Sequence, residues 1–272
     1  MQYALSEYSS VFIQYIGQVG VILRKNGFNV AIDPYLSGSV DQLPTSNDFW
    51  RRRYSPPIQA ETLTDLNVVL ITHEHLDHMD PETLKVIAAA SPACTFAGPR
   101  VCMPLLEEMG IPTDRLHALK AGVSFNCEGK LTIDPIPAWH EEREVDEEGW
   151  DRYLGYMMKW DDIVVYHAGD TLINETLIDI LHGYKIDLGF LPINGRDLFR
   201  NRLGIDGNMN AREAAGLAWE LQMGTVVPVH FDLYPNNSEG IAGFVNECLE
   251  HYPGQKYHIF QPGEKWFYIK MN

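Results

Sequence analysis

One seven-residue stretch concentrates side chains that could bind metal. It reads Thr72-His73-Glu74-His75-Leu76-Asp77-His78 and contains three histidines and an aspartate in metal-ligand spacing. Imidazole and carboxylate groups together suit zinc, manganese or iron. The alternative is a solvated histidine-rich loop, but H-x-H-x-D-H arises by chance in roughly one chain in a thousand of this length. We therefore interpret the stretch as part of a metal site.

The order of the four side chains favours two neighbouring ions over one. His73 and His75 are two residues apart, so both can point to one side of an extended backbone. Asp77 and His78 follow the bend and can face a second point. Four ligands to one tetrahedral ion would strain so short a loop, so each of two ions is expected to take further ligands from elsewhere in the chain.

The flanking elements place this cluster at the edge of a sheet. Residues 67–71 are apolar and β-branched, which predicts a buried strand. Asp80 and Pro81 suit an N-cap followed by the first helical position. The cluster thus lies on a turn from strand to helix, where open α/β sheets place their active sites.

Three more metal-competent residues each follow a predicted strand, namely His140, Asp170 and His230. A lone histidine is usually structural or exposed, but three such residues beside the cluster favour a role as ligands. His167 is either a strand residue or a hydrogen-bond partner of a ligand, and Asp33 suits the partner role better than that of a ligand. The histidines interpreted as structural are His117, His182, His251 and His258.

Arginines in an acidic chain are candidates for binding a substrate anion. Three adjacent arginines repel one another, and an anion or a group of carboxylates would offset that repulsion. The alternatives are a solvated loop end for the arginine run, and turn formation or helix capping for the nearby asparagines. The candidate substrate-binding residues are Arg51, Arg52, Arg53, Asn194, Arg196, Arg200, Asn208 and Asn210.

Apolar periodicity predicts an α/β chain that forms one domain over residues 1–272, with two sheets and flanking helices. Helices are predicted over 81–90, 100–109, 172–181, 211–221 and 239–251, the fourth with a capping box of Asn210 and Glu213. Strands are predicted over 11–16, 21–24, 28–33, 67–71, 94–97, 131–135, 153–160, 163–167, 186–193, 225–230, 257–260 and 266–269. The sequence leaves open whether the loop 37–60 or the acidic segment 141–148 gates the site.

Composition limits the classes of partner. The 272 residues carry a net charge of −16, which disfavours binding to nucleic acid or to an anionic membrane. The four cysteines form no C-x-x-C pair and suit reduced thiols, and the N-terminus lacks the features of a signal peptide. No apolar run approaches the length of a membrane span. We expect a cytoplasmic protein that acts on a small molecule, and the sequence leaves a homo-oligomer open.

The ordered set of these residues resembles the metallo-β-lactamase superfamily. The set begins with Asp33 and T-H-E-H-L-D-H and continues with His140, Asp170 and His230, and it covers nearly the whole chain. The resemblance implies a four-layer αββα sandwich with a two-metal site at one edge. It also implies that His73, His75 and His140 hold the first metal, that Asp77, His78 and His230 hold the second, and that Asp170 bridges both.

Within the superfamily, several segments are similar to the L-ascorbate-6-phosphate lactonase-like branch. They include Ile16-Gly17-Gln18, His167-Ala168-Gly169-Asp170-Thr171, Pro192-Ile193-Asn194-Gly195-Arg196 and Pro228-Val229-His230-Phe231-Asp232. The chain is shorter than the ascorbate-phosphate enzymes, and the branch also resembles phosphodiesterases and nucleases of the same fold.

We therefore expect a hydrolase in which a metal-bound hydroxide attacks a small anionic lactone or ester, with two divalent ions (zinc or manganese, or else iron) as cofactors. Asp77 and Asp170 are the candidate catalytic residues, because Asp170 could orient the nucleophile and shuttle its proton. No G-x-S-x-G elbow provides a serine nucleophile. The rival hypotheses are a phosphodiesterase or ribonuclease of the same fold, and a non-catalytic metal-binding or ligand-binding protein.

Overall fold

Two β-sheets form the framework of the protein in the computed structural model, which describes residues 9–43 and 50–270. The strands are β1 (Ser9–Gly17), β2 (Gly20–Lys25), β3 (Phe28–Ile32), β4 (Val68–Leu70), β5 (Thr95–Gly98), β6 (Leu116–Ala118), β7 (Phe125–Cys127), β8 (Leu131–Pro137), β9 (Leu154–Trp160), β10 (Ile163–His167), β11 (Leu188–Pro192), β12 (Thr225–Val229) and β13 (Lys265–Lys270). One sheet has the order β13-β1-β2-β3-β4-β5-β6, and the other has the order β12-β11-β10-β9-β8-β7. Strands β3 to β6 are parallel to one another, as are β10 to β12, and the other pairs are antiparallel.

Helices cover the outer face of each sheet. They are α1 (Pro81–Ala90), α2 (Cys102–Glu108), α3 (Glu175–Leu181), α4 (Leu198–Asn201), α5 (Ala211–Glu220) and α6 (Ile241–His251). Helices α1 and α2 bury apolar side chains against the first sheet, and α3, α5 and α6 do so against the second. The predicted αββα sandwich is therefore confirmed.

The largest apolar cluster lies between the two sheets. Strand β4 shows how one strand serves two layers: Val68 and Leu70 point into this cluster, and Val69 points outward to the layer of α1 and α2. A strand buried on both faces has no polar side to show, which explains the unbroken apolar run before the histidine cluster.

The predicted helix starts are partly correct. Helix α5 begins with the predicted capping box, in which Asn210 accepts a hydrogen bond from the Glu213 amide and Glu213 accepts one from the Asn210 amide. Asp80 stands at the N-cap of α1, but its carboxylate makes no capping hydrogen bond. It accepts hydrogen bonds from the hydroxyl groups of Ser37 and Thr83 instead, which ties the chain after β3 to the start of α1.

The strand predicted over 257–260 is wrong. Tyr257 makes a single bridge to Val226, and the ring of Phe260 stacks on Tyr15 in the inter-sheet core. Two backbone hydrogen bonds with Val226 and the packing of Phe260 therefore hold this segment where a longer β-ladder was expected. Strands β6 and β7 and the short helix α4 lie where no element was predicted.

The predicted loop 37–60 has no strand or α-helix in its described part, which contains short 3₁₀ turns at Val40–Gln42 and Ala60–Thr62. Residues 44–49 of that loop lie outside the described residues, as do 1–8 and 271–272. Across 9–43 and 50–270, no helix has the length and apolar character needed to cross a bilayer.

Candidate metal centre

The histidine cluster begins two residues after β4, at the edge where both sheets end. Asp33 fixes its first turn, because its fully buried carboxylate accepts hydrogen bonds from the Thr72 amide at 2.8 Å and the Thr72 hydroxyl at 2.6 Å. The same carboxylate lies 2.8 Å from Nδ1 of His78, so the His78 Nδ1–H donates to it. Nε2 of His78 is then left to face the centre of the site.

Three histidines form the first potential ligand group. The ligand atoms of His73, His75 and His140 all lie within 4.8 Å of one another, with His140 supplied by the connection from β8 to β9. Burial lowers the pKa of His73 well below its ordinary value, and the neighbouring His78 lowers it further. Burial also lowers the pKa of His140. Both rings are thus neutral at physiological pH, which is the form that binds a metal ion.

The second potential group combines a carboxylate with two histidines. The ligand atoms of Asp77, His78 and His230 lie within 4.8 Å of one another, and so do those of His73, His78 and Asp170. Asp170 lies 3.4 Å from Nε2 of His78 and 3.3 Å from Nε2 of His230. Asp170 therefore occupies the space between the two groups, where a shared ligand would be needed.

Gly169 allows Asp170 to approach the cluster closely. It adopts φ 62°, and a Cβ at this position would lie 2.9 Å from the Cβ of Thr72. Only glycine combines this backbone conformation with so short a distance to a neighbouring segment. The turn after β10 can therefore pass directly beside the turn after β4.

Four buried polar atoms test whether these residues suit a metal. Within the part of the chain that the structure describes, Nε2 of His73 and Nδ1 of His140 have no hydrogen-bond partner, and Nε2 of His78 and Oδ1 of Asp170 face each other at 3.4 Å but make no hydrogen bond. Each such buried atom costs about 1–3 kcal/mol. All four point into one site and are nitrogen or oxygen donors of the kind that zinc, manganese and iron accept. The residues therefore fit a pair of such ions.

The second group carries ionised pairs in the absence of metal. Burial alone would lower the pKa of His230, but the carboxylates of Asp170 and Asp77 raise it to about 9. The pKa of His78 is also raised, because Asp170, Asp77 and Asp33 outweigh the effect of its burial. Burial would raise the pKa of Asp77, but His78 and His230 lower it well below its ordinary value. Protons on these rings thus neutralise carboxylates that a cation would otherwise neutralise.

His167 contacts backbone groups and no candidate ligand side chain. Its Nε2 lies 2.9 Å from the Val19 carbonyl oxygen, to which Nε2–H donates, and its Nδ1 accepts from the Gly169 amide at 3.2 Å. Of the two roles left open by the sequence, the structure favours a strand residue that holds the Gly169 turn.

A cavity of about 360 Å³ opens beside these ligand candidates. Apolar side chains form much of its wall, among them Val40, Leu43, Trp50, Leu76 and Ile205. The other lining residues are Glu74, His75, Asp77, His140, Asp170, Gly204, Asp206, His230 and Asn237. None of them is a lysine or arginine, and every lysine and arginine of the chain lies within the described residues.

Arg51, Arg52 and Arg53 do not line this cavity, so their substrate-binding role stays a prediction. Arg51 is exposed, and Arg52 pairs with Asp41 at 3.7 Å. Arg53 donates to the backbone carbonyl oxygens of Phe231 and Asp232, at 3.3 and 3.4 Å, and so holds the loop after His230. Arg52 and Arg53 thus have structural partners, while Val40, Leu43 and Trp50 of the same loop line the cavity.

The second set of predicted substrate-binding residues also lies outside the cavity wall. Arg196 donates two hydrogen bonds of 3.0 Å to the carboxylate of Glu213, at the start of α5. Asn208 donates to Asn194, which donates to Asn237, and Arg200 donates to the Asn194 carbonyl oxygen. These side chains form a buried network whose member Asn237 reaches the cavity.

The acidic segment 141–148 is tied to the cluster by Arg152. This guanidinium donates to Glu74 at 2.5 Å and to Glu144 at 2.7 Å. Arg100 holds the far end of the segment through Asp146 at 2.7 Å. The segment is thus anchored beside the site.

Comparisons with known proteins identify the family of the chain. The model of one family, described as "Beta-lactamase superfamily domain", matches residues 29–231. The chain belongs to this family. The "UPF0173 metal-dependent hydrolase MK1542" of Methanopyrus kandleri is 25% identical over 258 residues, which cover 93% of this chain and 98% of the relative. The chain is accordingly a metal-dependent hydrolase of the metallo-β-lactamase superfamily.

Solved structures share the fold at low sequence identity. An isothiocyanate hydrolase from Delia radicum gut bacteria superposes with a TM-score of 0.74 at 21% identity, covering 94% of this chain and 98% of that chain. Igni18, a metallo hydrolase from Ignicoccus hospitalis, gives a TM-score of 0.69 at 21% identity, covering 96% and 99%.

Sequence reasoning gave no role to several residues around the site. Gln18 donates to Asp77 of the second ligand group, Asp232 accepts from the Gln18 amide, and Asp206 lines the cavity. Gln18 and Asp232 both lie in segments that carried the family resemblance, and this was the available signal. Asp206 had none, because an aspartate in a polar loop is usually solvated.

Proposed function

We propose that this hydrolase cleaves a small uncharged ester or lactone with an apolar portion, at a centre of two divalent ions. The observation that carries the proposal is the cavity beside the ligand candidates, whose lining has apolar side chains and carboxylates and, apart from the candidate ligand histidines, no basic side chain. An anionic group on the body of the substrate would face Asp206, and no lysine or arginine lines the cavity to pair with it. The anionic substrate expected from the sequence is thus replaced by an uncharged one.

The ligand assignment within this proposal follows the two groups. His73, His75 and His140 would hold one ion, Asp77, His78 and His230 the other, and Asp170 would contact both. Bound at these residues, two divalent ions supply a nucleophile from water at neutral pH and stabilise negative charge that develops in the transition state. Buried ligand atoms that make no hydrogen bond, present in both groups, support this assignment.

The chain's own residues would bind the apolar portion of the substrate and accept a proton, and none of its cysteines would act as the nucleophile. The apolar wall, including Trp50, Leu76 and Ile205, binds the apolar portion of the substrate and displaces water from it. Asp170, whose Oδ1 is buried, and Asp77, whose side chain is 20% exposed, can accept a proton at the cavity floor. The four cysteines are all buried, and burial raises the pKa of Cys94 to about 12, so no thiolate nucleophile competes.

The test is a panel of matched substrates with protein loaded separately with zinc, manganese or iron. It contains neutral aryl esters and lactones, the same compounds with an added carboxylate or phosphate, a phosphodiester and an aryl isothiocyanate. We expect kcat/KM to be at least tenfold higher for the neutral esters or lactones than for their anionic partners. His75→Ala is expected to abolish the activity, and the exposed His251→Ala is the matched control that should retain it.

Two results would contradict the proposal. A preference for the anionic compounds or the phosphodiester would restore the anionic-substrate hypothesis or the phosphodiesterase hypothesis. Metal-loaded protein that binds two equivalents and hydrolyses nothing on the panel would favour a binding protein.

A further inference from the structure

Gln18 is a buried residue outside the predicted ligand set that contacts the second ligand group twice. It lies in the turn between β1 and β2 with φ 60°, and 2% of its surface is exposed. Its side-chain amide donates to Oδ2 of Asp77 at 2.8 Å, and its Nε2 lies 3.3 Å from Nε2 of His230. Its backbone carbonyl oxygen accepts from the His230 amide at 2.7 Å. One residue therefore contacts two candidate ligands that are far apart in sequence.

A second set of contacts holds Gln18 in this position. The half-buried carboxylate of Asp232 accepts from the Gln18 backbone amide at 3.2 Å and from the Tyr54 hydroxyl at 2.7 Å. The Tyr15 hydroxyl lies 2.9 Å from both the Asp232 carboxylate and the Gln18 carbonyl oxygen, within donating distance of each. Gly17 leaves room for this arrangement, since a Cβ there would lie 2.5 Å from the Tyr54 hydroxyl.

The chemistry of an amide suits a neighbour of a cation site. A lysine or arginine at this place would also donate to Asp77, but its charge would repel an ion bound there. The glutamine amide donates a hydrogen bond without carrying charge. It donates to Oδ2 of Asp77, the oxygen that also lies 3.7 Å from Nε2 of His78 and 3.6 Å from Nε2 of His230, and so orients that oxygen toward the second ligand group.

We propose that Gln18 is a positioning residue for the second ion, and that Asp232 and Tyr54 hold Gln18 in place. The proposal rests on the two-metal site of the proposed function. In this arrangement, Gln18 aims the Asp77 carboxylate through its side chain and fixes the backbone of His230 through its carbonyl oxygen. A purely structural alternative is that Gln18 only closes the turn between β1 and β2.

The decisive variant is Gln18→Met, which keeps the length of the side chain and removes its donor. The readout is equilibrium zinc binding, measured by competition with a chromophoric chelator. Removing a hydrogen-bond partner of a ligand typically weakens metal binding by about 10–100-fold. We expect that loss in one of two equivalents and little change in the other. Gln222→Met is the matched control, because Gln222 is an exposed glutamine with φ 51° outside the site.

A His75→Ala background assigns the affected equivalent. This variant weakens the first ligand group, so the remaining equivalent reports the second group, and adding Gln18→Met should weaken that equivalent by the same factor. The visible spectrum of cobalt-substituted protein should change with Gln18→Met, because the coordination of Asp77 changes.

A second variant keeps the proposal testable if Gln18→Met does not fold. Tyr54→Phe removes one hydroxyl that donates to Asp232, and we expect a severalfold loss of affinity in the same equivalent. Unchanged zinc affinity in Gln18→Met would overturn the proposal, and so would an equal loss of affinity in both equivalents. If Gln18→Met does not fold, unchanged zinc affinity in Tyr54→Phe would overturn it. These measurements need no substrate, so a failure of the proposed hydrolysis would leave a selective loss of metal affinity intact as support.

Discussion

Replacement of Asp33 by alanine is expected to cost much of the protein's stability even without metal. The carboxylate is fully buried and makes three contacts, with the Thr72 amide, the Thr72 hydroxyl and Nδ1 of His78. Hydrogen bonds to a charged group contribute about 1.5–3 kcal/mol each, and removing one partner of a buried ion pair costs about 3–5 kcal/mol. Because the three contacts share one carboxylate, we expect their removal alone to cost about 3 kcal/mol.

Backbone strain adds to this loss. Asp33 adopts φ 43°, where alanine is disfavoured by about 1 kcal/mol and asparagine is tolerated. Asp33→Asn therefore keeps the shape and the backbone conformation while removing the charge, and it should cost less than alanine. Asp65→Ala is the surface control, because the Asp65 carboxylate pairs with Arg24 at an exposed position and should contribute below about 1 kcal/mol.

The assay is urea unfolding of chelator-treated protein, followed by circular dichroism, with a parallel thermal scan. A loss of about 4 kcal/mol corresponds to a fall in Tm of roughly 10 °C for a domain of this size. Zinc affinity should also fall by about 10–100-fold, because Asp33 fixes the ring of His78. An Asp33→Ala variant within about 1 kcal/mol of the wild type would refute the reasoning, since the buried network would then contribute little.

Three further predictions concern pH, substrate charge and the loop after β12. The pKa of His230 is raised to about 9 by Asp170 and Asp77, so zinc binding below that pH must release the proton of His230, and zinc affinity should rise up to about tenfold per pH unit toward pH 9. Isothermal titration calorimetry in buffers of different ionisation enthalpy measures the released proton, and zinc binding without proton release would contradict the prediction. Asp206→Asn should raise kcat/KM for anionic esters about fourfold at low salt and leave neutral esters unchanged, and equal changes would argue against charge selection. Arg53→Ala should lower the free energy of unfolding, measured in urea, by about 1–3 kcal/mol and should not raise KM selectively for anionic substrates. A selective rise in that KM would indicate that Arg53 binds the substrate.

Sequence reasoning succeeded where the signal is local. The apolar run before Thr72 and the Asp80-Pro81 pair placed the histidine cluster between a strand and a helix, and the structure has β4 and α1 there. The capping box of Asn210 and Glu213 was likewise readable, since both partners lie within one helical turn. Such features depend on neighbouring residues, so the order of side chains is sufficient to predict them.

Local patterns failed where packing decides. Residues 257–260 have a strand-like composition but make only one bridge, because Phe260 is held by the inter-sheet core. The three adjacent arginines suggested an anion site. Neighbouring positions in the sequence do not determine where side chains point, however. Arg52 pairs with a carboxylate, and Arg53 donates to backbone carbonyl oxygens. Competition among partners distant in sequence settles such choices.

By itself, the sequence determined the type of chemistry, because imidazole and carboxylate side chains at these spacings suit few roles other than metal binding. Apolar periodicity also predicted two sheets with flanking helices, and the family resemblance implied the order of the layers. Only the tertiary structure decided how close Asp170 lies to both ligand groups, that Gln18 contacts both Asp77 and His230, and that the cavity wall carries no lysine or arginine. The physical reason is that the relevant distances join residues tens to hundreds of positions apart, and the packing of two sheets sets those distances.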